Sequence, residues 1–136
     1  MILQKELVLP AYKRGFHIIT TIIVNALGNL PEVGILNIFL HHTSAGLCIN
    51  ENADSTVLAD METAFNRLAP EGLTEYKHTM EGDDDMPAHV KSALTGVSLC
   101  IPIANGRLKL GTWQGIYLCE YRNYGGNRRL TLTVIS

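Results

Sequence analysis

The chain has 136 residues, 46% of them hydrophobic and 18% charged, with a formal net charge of -2. That length and apolar content suit one folded domain and argue against disorder. No basic excess or polybasic run points to nucleic acid or a membrane surface as a partner, and no apolar run reaches the ~20 residues of a bilayer span.

The first stretch, Met1 to Pro10, carries Lys5 and Glu6 among its apolar residues. It lacks the uninterrupted apolar core of a secretory signal, so a cytoplasmic location is expected. The cysteines, Cys48, Cys100 and Cys119, form an odd set with no CxxC spacing. Each lies in an apolar, strand-like run, which predicts buried free thiols in a reducing compartment.

In chain order, Ile2 to Leu9 and Gly15 to Ile19 read as strands. Thr20 or Thr21 is a candidate cap for a short helix through Leu27, ended by Gly28. Gly34 to His42 alternates as a strand, with Leu36, Ile38, Leu40 and His42 on one face. His41 would then point to the opposite face from His42, so at most one of the two would serve a given site on that sheet. Asp54 to Leu68 has helical apolar spacing, a capping Asp54 and a following Pro70. Pro87 to Leu94 reads as a second helix, with Pro in its first turn and Gly96 just past it. Strands follow over Val97 to Ile103, Arg107 to Leu110, Trp113 to Tyr121 and Arg128 to Ile135. Asn105-Gly106 is a hairpin turn signal. Strands, then helices, then a run of strands predict an α+β domain with mixed or antiparallel sheets packed on two or three helices.

Five segments carry groups suited to chemistry. His42-Thr43-Ser44-Ala45 ends a strand; it could line a polar pocket, although a strand end satisfying its own backbone is the plainer account. Asn50-Glu51-Asn52-Ala53-Asp54 precedes the main helix and holds more polar groups than one cap needs; free helix N–H groups there could take an anion. His78 to His89 contains two histidines with Glu81, Asp83, Asp84 and Asp85. Acidic residues before a helix complement its dipole, but this number exceeds that need. Histidines with carboxylates suit zinc or another first-row metal; carboxylates alone suit magnesium. Gly111-Thr112-Trp113-Gln114-Gly115 can wall a pocket and orient a ligand, or simply begin a bulged strand. Gly125-Gly126 before Arg128-Arg129 could bring a guanidinium to a phosphate, or end a solvated hairpin. His17, between apolar residues, is assigned to structure. No phosphate-binding Walker loop, dinucleotide fingerprint or nucleophile elbow is present.

Taken together, His42-Thr43-Ser44-Ala45 leading to Asn50-Glu51-Asn52, Glu81-Gly82-Asp83-Asp84 with Pro87-Ala88-His89, and Gly106-Arg107 with Gly111-Thr112-Trp113-Gln114-Gly115 resemble the YjbQ family in order and spacing, over essentially the whole chain. Glu120-Tyr121-Arg122 followed by Gly125-Gly126 and Arg128-Arg129 is similar to its bacterial members. The resemblance implies a small α+β fold, a homotrimer, and a polar site that includes His42, His78 and His89. It also implies a weak, secondary thiamine-phosphate synthase activity, joining a pyrimidine diphosphate to a thiazole phosphate with release of pyrophosphate. On this basis His42, His78 and His89 would hold a divalent metal. His42, Glu81, Asp84 and His89 would be catalytic. Thr43, Ser44, Asn50, Asn52, Thr112, Gln114 and Arg128 would bind a phosphorylated small molecule. A metal-dependent hydrolase and a non-catalytic metabolite-binding trimer use the same groups and remain open.

Overall fold

The computed structural model describes residues Met1–Ser136. Apolar alternation does produce β1 (Ile2–Leu9), β2 (Gly15–Ile18) and, after the short helix α1 (Thr20–Leu27), β3 (Val33–Leu40). Next come β4 (Ala45–Glu51), α2 (Ser55–Leu68), α3 (Asp85–Thr95), β5 (Ser98–Ala104), β6 (Arg107–Leu108), β7 (Gln114–Glu120) and β8 (Arg128–Ile135). The strands form a five-stranded sheet, in the order β1-β8-β3-β5-β6, and a three-stranded sheet, β2-β7-β4. All pairings are antiparallel, and with three helices this is a single α+β domain.

One core fills the space between the two sheets and takes in α1. Leu36, Ile38 and Leu40 of β3 and Leu130, Leu132 and Val134 of β8 meet Leu47 of β4 and Ile116 and Leu118 of β7. Each such side chain gains about 1.5–3 kcal/mol on full burial. The other face of the three-stranded sheet carries a second cluster. There Phe16, Tyr117, Cys119 and Tyr121 pack with Ala88 of α3, and Leu58, Met61 and Phe65 of α2 close over them. Strand β7 is therefore buried on both faces, which explains its nearly unbroken apolar run.

Several elements differ from the sequence expectation. Strand β3 ends at Leu40, two residues before His42. The chain between His42 and Asn52, where only the strand-like run around Cys48 was noted and no bounds were assigned, contains β4. No threonine caps α1: Ile19 holds the cap position, and Thr20 Oγ1 instead accepts from Ile116 N at 2.9 Å. Helix α3 begins at Asp85, two residues before Pro87. Proline is harmless there, because the first N–H groups of a helix have no intrahelical partner. The Asn105-Gly106 turn is as expected, with both residues at positive φ, 54° and 71°, joining Ala104 to Arg107 across β5 and β6. Asp54 caps α2 by accepting from Thr56 N at 2.9 Å. Of the three cysteines, Cys119 is buried and Cys48 half-buried, but Cys100 is exposed because it faces outward from β5.

Gly46 of β4 sits where α3 ends. A Cβ there would overlap Thr95 Oγ1 and come within 3.1 Å of Gly96 O. Thr95 Oγ1 is held by Lys91 O and the Tyr121 hydroxyl, and Thr95 Cβ would itself lie 3.2 Å away, so Gly46→Ala is expected to lower stability by about 1–3 kcal/mol in urea unfolding.

The five-stranded sheet turns an apolar row outward. Ile2 pairs with Ile135, Ile135 with Ile35, and Ile35 with Pro102; the three isoleucines are 70%, 47% and 44% exposed. No helix is long and apolar enough to cross a membrane.

Candidate functional site

Starting α3 at Asp85 places Asp85 and His89 one turn apart on the same helix face. The loop before the helix brings His78 to the same point. Asp85 Oδ2 lies 2.6 Å from His78 Nε2 and 3.1 Å from His89 Nε2. The three ligand atoms lie within 4.8 Å of one another. The other face of each group is also held. His89 Nδ1 donates to Thr43 O at 2.8 Å, and Asp85 Oδ1 accepts from Arg122 Nη1 at 2.6 Å. Burial pushes the Asp85 carboxyl up, but His78, His89 and Arg122 outweigh it and hold the group below the usual aspartate range.

Arg122 ties this corner together. It also reaches Asp84 through Nε at 2.8 Å and Glu81 O through Nη2 at 2.9 Å. Asp84 Oδ2 accepts a further bond from Asn123 N at 2.9 Å. Burial raises the Asp84 pKa; the Asn123 N–H and Arg122 lower it, and the lowering wins.

A groove of about 560 Å³ opens beside His89, between the end of β3 and α3, with His41, His42 and Thr43 on one wall and Phe39 and Val97 among its apolar lining. His41 and His42 both line it because the chain leaves the strand geometry after Leu40, so the alternation that would separate them no longer applies.

The residues singled out in the sequence fall into five groups. His78 and His89 meet at Asp85. His42 lies across the groove from that cluster, and its Nε2 accepts from Arg129 N at 2.9 Å, an occupied lone pair that is not free for a metal. Glu81 is exposed and contributes only its carbonyl, while Asp84 is engaged by Arg122. Arg128 is buried in an ion pair with Glu120, Nη2 to Oε2 2.6 Å, and also bonds Ser44 O and Oγ at 3.2 and 3.1 Å. It therefore fastens Ser44 beside the groove, and its guanidinium is not free to meet a phosphate.

Asn50, Asn52, Thr112 and Gln114 lie at the far end of the β4–β7 pair, where Glu51 faces Gln114 and Ala45 faces Glu120. At ~3.3 Å per residue that end is about 20 Å from the histidines. Its contacts are local: Asn52 Nδ2 donates to Thr112 O and Gln114 O, and Gly111 N donates to Gln114 Oε1. Asp85, Arg122 and His41 were named in the sequence but given no role of their own in the site. The Asp85/His89 spacing of four residues was the available signal for the first.

A small α+β protein with paired antiparallel sheets and a histidine–carboxylate corner is the class these features define. Solved structures share the architecture: a conserved hypothetical protein from Thermus thermophilus superimposes with a TM-score of 0.81 at 36% identity, covering 95% of this chain and 97% of that one. A YjbQ/UPF0047 family protein from Clostridium acetobutylicum gives 0.83 at 37% identity, covering 96% and 99%. The UPF0047 protein YjbQ of Escherichia coli O157:H7 is 50% identical over 133 residues, 96% of each chain. The family model for UPF0047 protein YjbQ-like matches residues 5–136. The chain belongs to the YjbQ (UPF0047) family.

Proposed function

We propose that this chain holds a divalent first-row metal through His78, Asp85 and His89 and acts on a phosphorylated small molecule in the adjoining groove. The observation that carries this reading is His89, held between two acceptors. Its Nδ1 can only donate to the Thr43 carbonyl, at 2.8 Å, so in the neutral ring Nε2 is a lone pair directed at the Asp85 carboxylate 3.1 Å away. Lone pair against carboxylate is repulsive; a cation between them removes the conflict. Two imidazoles and one carboxylate suit zinc or another first-row metal better than magnesium, which prefers oxygen ligands. The Thr43 carbonyl and Arg122 would orient the ligands from behind, as supporting groups do at metal sites.

Three protein ligands leave room for a substrate oxygen, and a divalent cation would supply Lewis acidity there. The chain's own residues would bind and orient the substrate along the apolar groove wall. The finer reading carried over from the sequence resemblance is a weak, secondary thiamine-phosphate synthase activity, joining a pyrimidine diphosphate to a thiazole phosphate. The outward row of Ile2, Ile135, Ile35 and Pro102 supports a homotrimer in which a second subunit covers that sheet. An apparent mass of three chains in sedimentation equilibrium is expected, reduced by Ile35→Glu.

The test is elemental analysis of protein purified without chelator, with substitutions to separate the histidines. Near-stoichiometric metal is expected in the parent and in His42→Ala, and its loss in His78→Ala, Asp85→Asn and His89→Ala. No metal after exposure to zinc, manganese, nickel and iron would overturn the reading. With metal established, product formation from the two thiamine precursors, against simple release of phosphate from either, separates the synthase from a hydrolase.

A further inference from the structure

His41 and His42 line the groove beside His89, and their hydrogen bonds decide where each proton sits. His42 Nε2 lies 2.9 Å from the backbone N of Arg129. A backbone N–H only donates, so this nitrogen accepts and the neutral ring carries its proton on Nδ1. His41 is fixed the other way. The Thr131 hydroxyl gives its one proton to Glu6 Oε1 at 2.8 Å, so its oxygen accepts from His41 Nε2 at 2.7 Å. Neutral His41 therefore carries its proton on Nε2 and a lone pair on Nδ1. In neither ring does Nδ1 have a partner in the protein.

The surroundings favour an anion. None of the groove-lining residues is acidic. Arg129 forms no ion pair. Burial first, then the charges of Arg128 and Arg129, hold His42 below the usual histidine range, with Glu120 opposing and His41 adding to the lowering.

We infer that His42 is an uncharged hydrogen-bond donor, locked as the Nδ1–H tautomer by the Arg129 amide, that positions a phosphate-type oxygen in the groove while His41 presents a lone pair to a proton on the same ligand. The inference rests on the proposed phosphorylated substrate for its choice of anion, but it does not depend on the metal. It makes His42 a positioning residue and leaves it no part as a metal ligand.

The test uses the full chain with 15N-labelled histidine. Two-bond 15N–1H correlation spectra at pH 7 should show His42 with its proton on Nδ1 and His41 with its proton on Nε2, assigned from His42→Asn and His41→Asn. Titration with inorganic phosphate should move the His42 Nδ1 signal. His42→Ala should weaken phosphate binding about tenfold to a hundredfold, the range for losing a hydrogen bond to a charged group. His42→Asn, whose side-chain N–H overlies Nδ1, should restore most of that loss, a rescue that a role in holding the backbone alone would not produce. A His42 imidazolium or Nε2–H tautomer at pH 7, or phosphate binding equal in parent and His42→Ala, would overturn the inference. If His42→Ala does not fold, the parent's tautomer and its response to phosphate decide. Phosphate binding by a parent protein that takes up no metal would sink the metal reading and leave this one standing; metal retained without any phosphate response would do the reverse.

Discussion

Arg128→Ala is expected to destabilise the fold by about 3–5 kcal/mol in urea unfolding, the loss that follows when a buried charge is left without its partner. Arg128 and Glu120 have side-chain exposures of 4% and 0%. They are joined twice, Nε to Oε1 at 2.7 Å and Nη2 to Oε2 at 2.6 Å. Removing the guanidinium leaves a carboxylate with no solvent and only the Arg122 N–H, at 3.2 Å, as a donor. It also frees Ser44, which precedes β4, and slackens the segment whose Thr43 carbonyl holds His89. The cost lies in the orphaned charge more than in the pair itself. A double variant, Arg128→Met with Glu120→Leu, is therefore expected to recover much of the lost stability. A double variant no more stable than Arg128→Ala would show that the bonds to Ser44 matter more than the carboxylate. Gly125 belongs to the same unit: a Cβ there would overlap both the Glu120 carboxylate and the Arg128 guanidinium. This gives the glycine pair of that loop a packing reason beyond the turn it makes.

Where local pattern and tertiary environment agree, the fold was legible in the sequence. Helix α2 announces itself through apolar spacing and the Asp54 cap, and the β5–β6 hairpin through Asn105-Gly106, because both signals are properties of the local chain. Strand β4 was legible only as a strand-like run around Cys48, without bounds. Gly46 is required by the close approach of Thr95, and Asn50 and Glu51 end the strand beside a helix cap, so its apolar run is short and broken. The histidines at the end of β3 show the limit of periodicity: alternation assigns opposite faces only while the strand lasts, and it stops at Leu40.

The acidic loop shows a different limit. Composition revealed a surplus of carboxylates near two histidines, but not which would turn inward. Starting the helix at Asp85 rather than Pro87 settles that question, since it puts Asp85 one turn from His89. The half-buried cation that holds Asp85, Arg122, lies 37 residues further on, beyond the reach of any local pattern. Family resemblance supplied the neighbourhood of the site, and three-dimensional contacts supplied its central carboxylate.

Arg122→Ala is expected to lower affinity at the proposed metal site about 10- to 100-fold, the usual penalty for removing a group that orients a ligand, while leaving His78, Asp85 and His89 in the sequence. The guanidinium binds Asp85 Oδ1 and so leaves Oδ2 facing the two imidazoles. Without it the carboxylate can rotate, and Asp84 and Asp85, both largely buried, lose the one cation that binds both of them. The same change should appear in acid without any metal. Asp84 and Asp85 have folded pKa values below their unfolded ones. Their ionised forms therefore add stability that is fully present above the unfolded value, about 3.9, and lost as pH falls through the folded values. Arg122→Ala removes part of the depression, so acid unfolding of metal-free protein, followed by circular dichroism, should begin at higher pH than in the parent. Arg122→Lys should restore part of the acid stability through its charge but little of the metal affinity, because an ammonium cannot bridge Asp84, Asp85 and the Glu81 carbonyl as the planar guanidinium does. Equal metal affinity in the parent and both variants would mean that Asp85 is held in place by α3 alone.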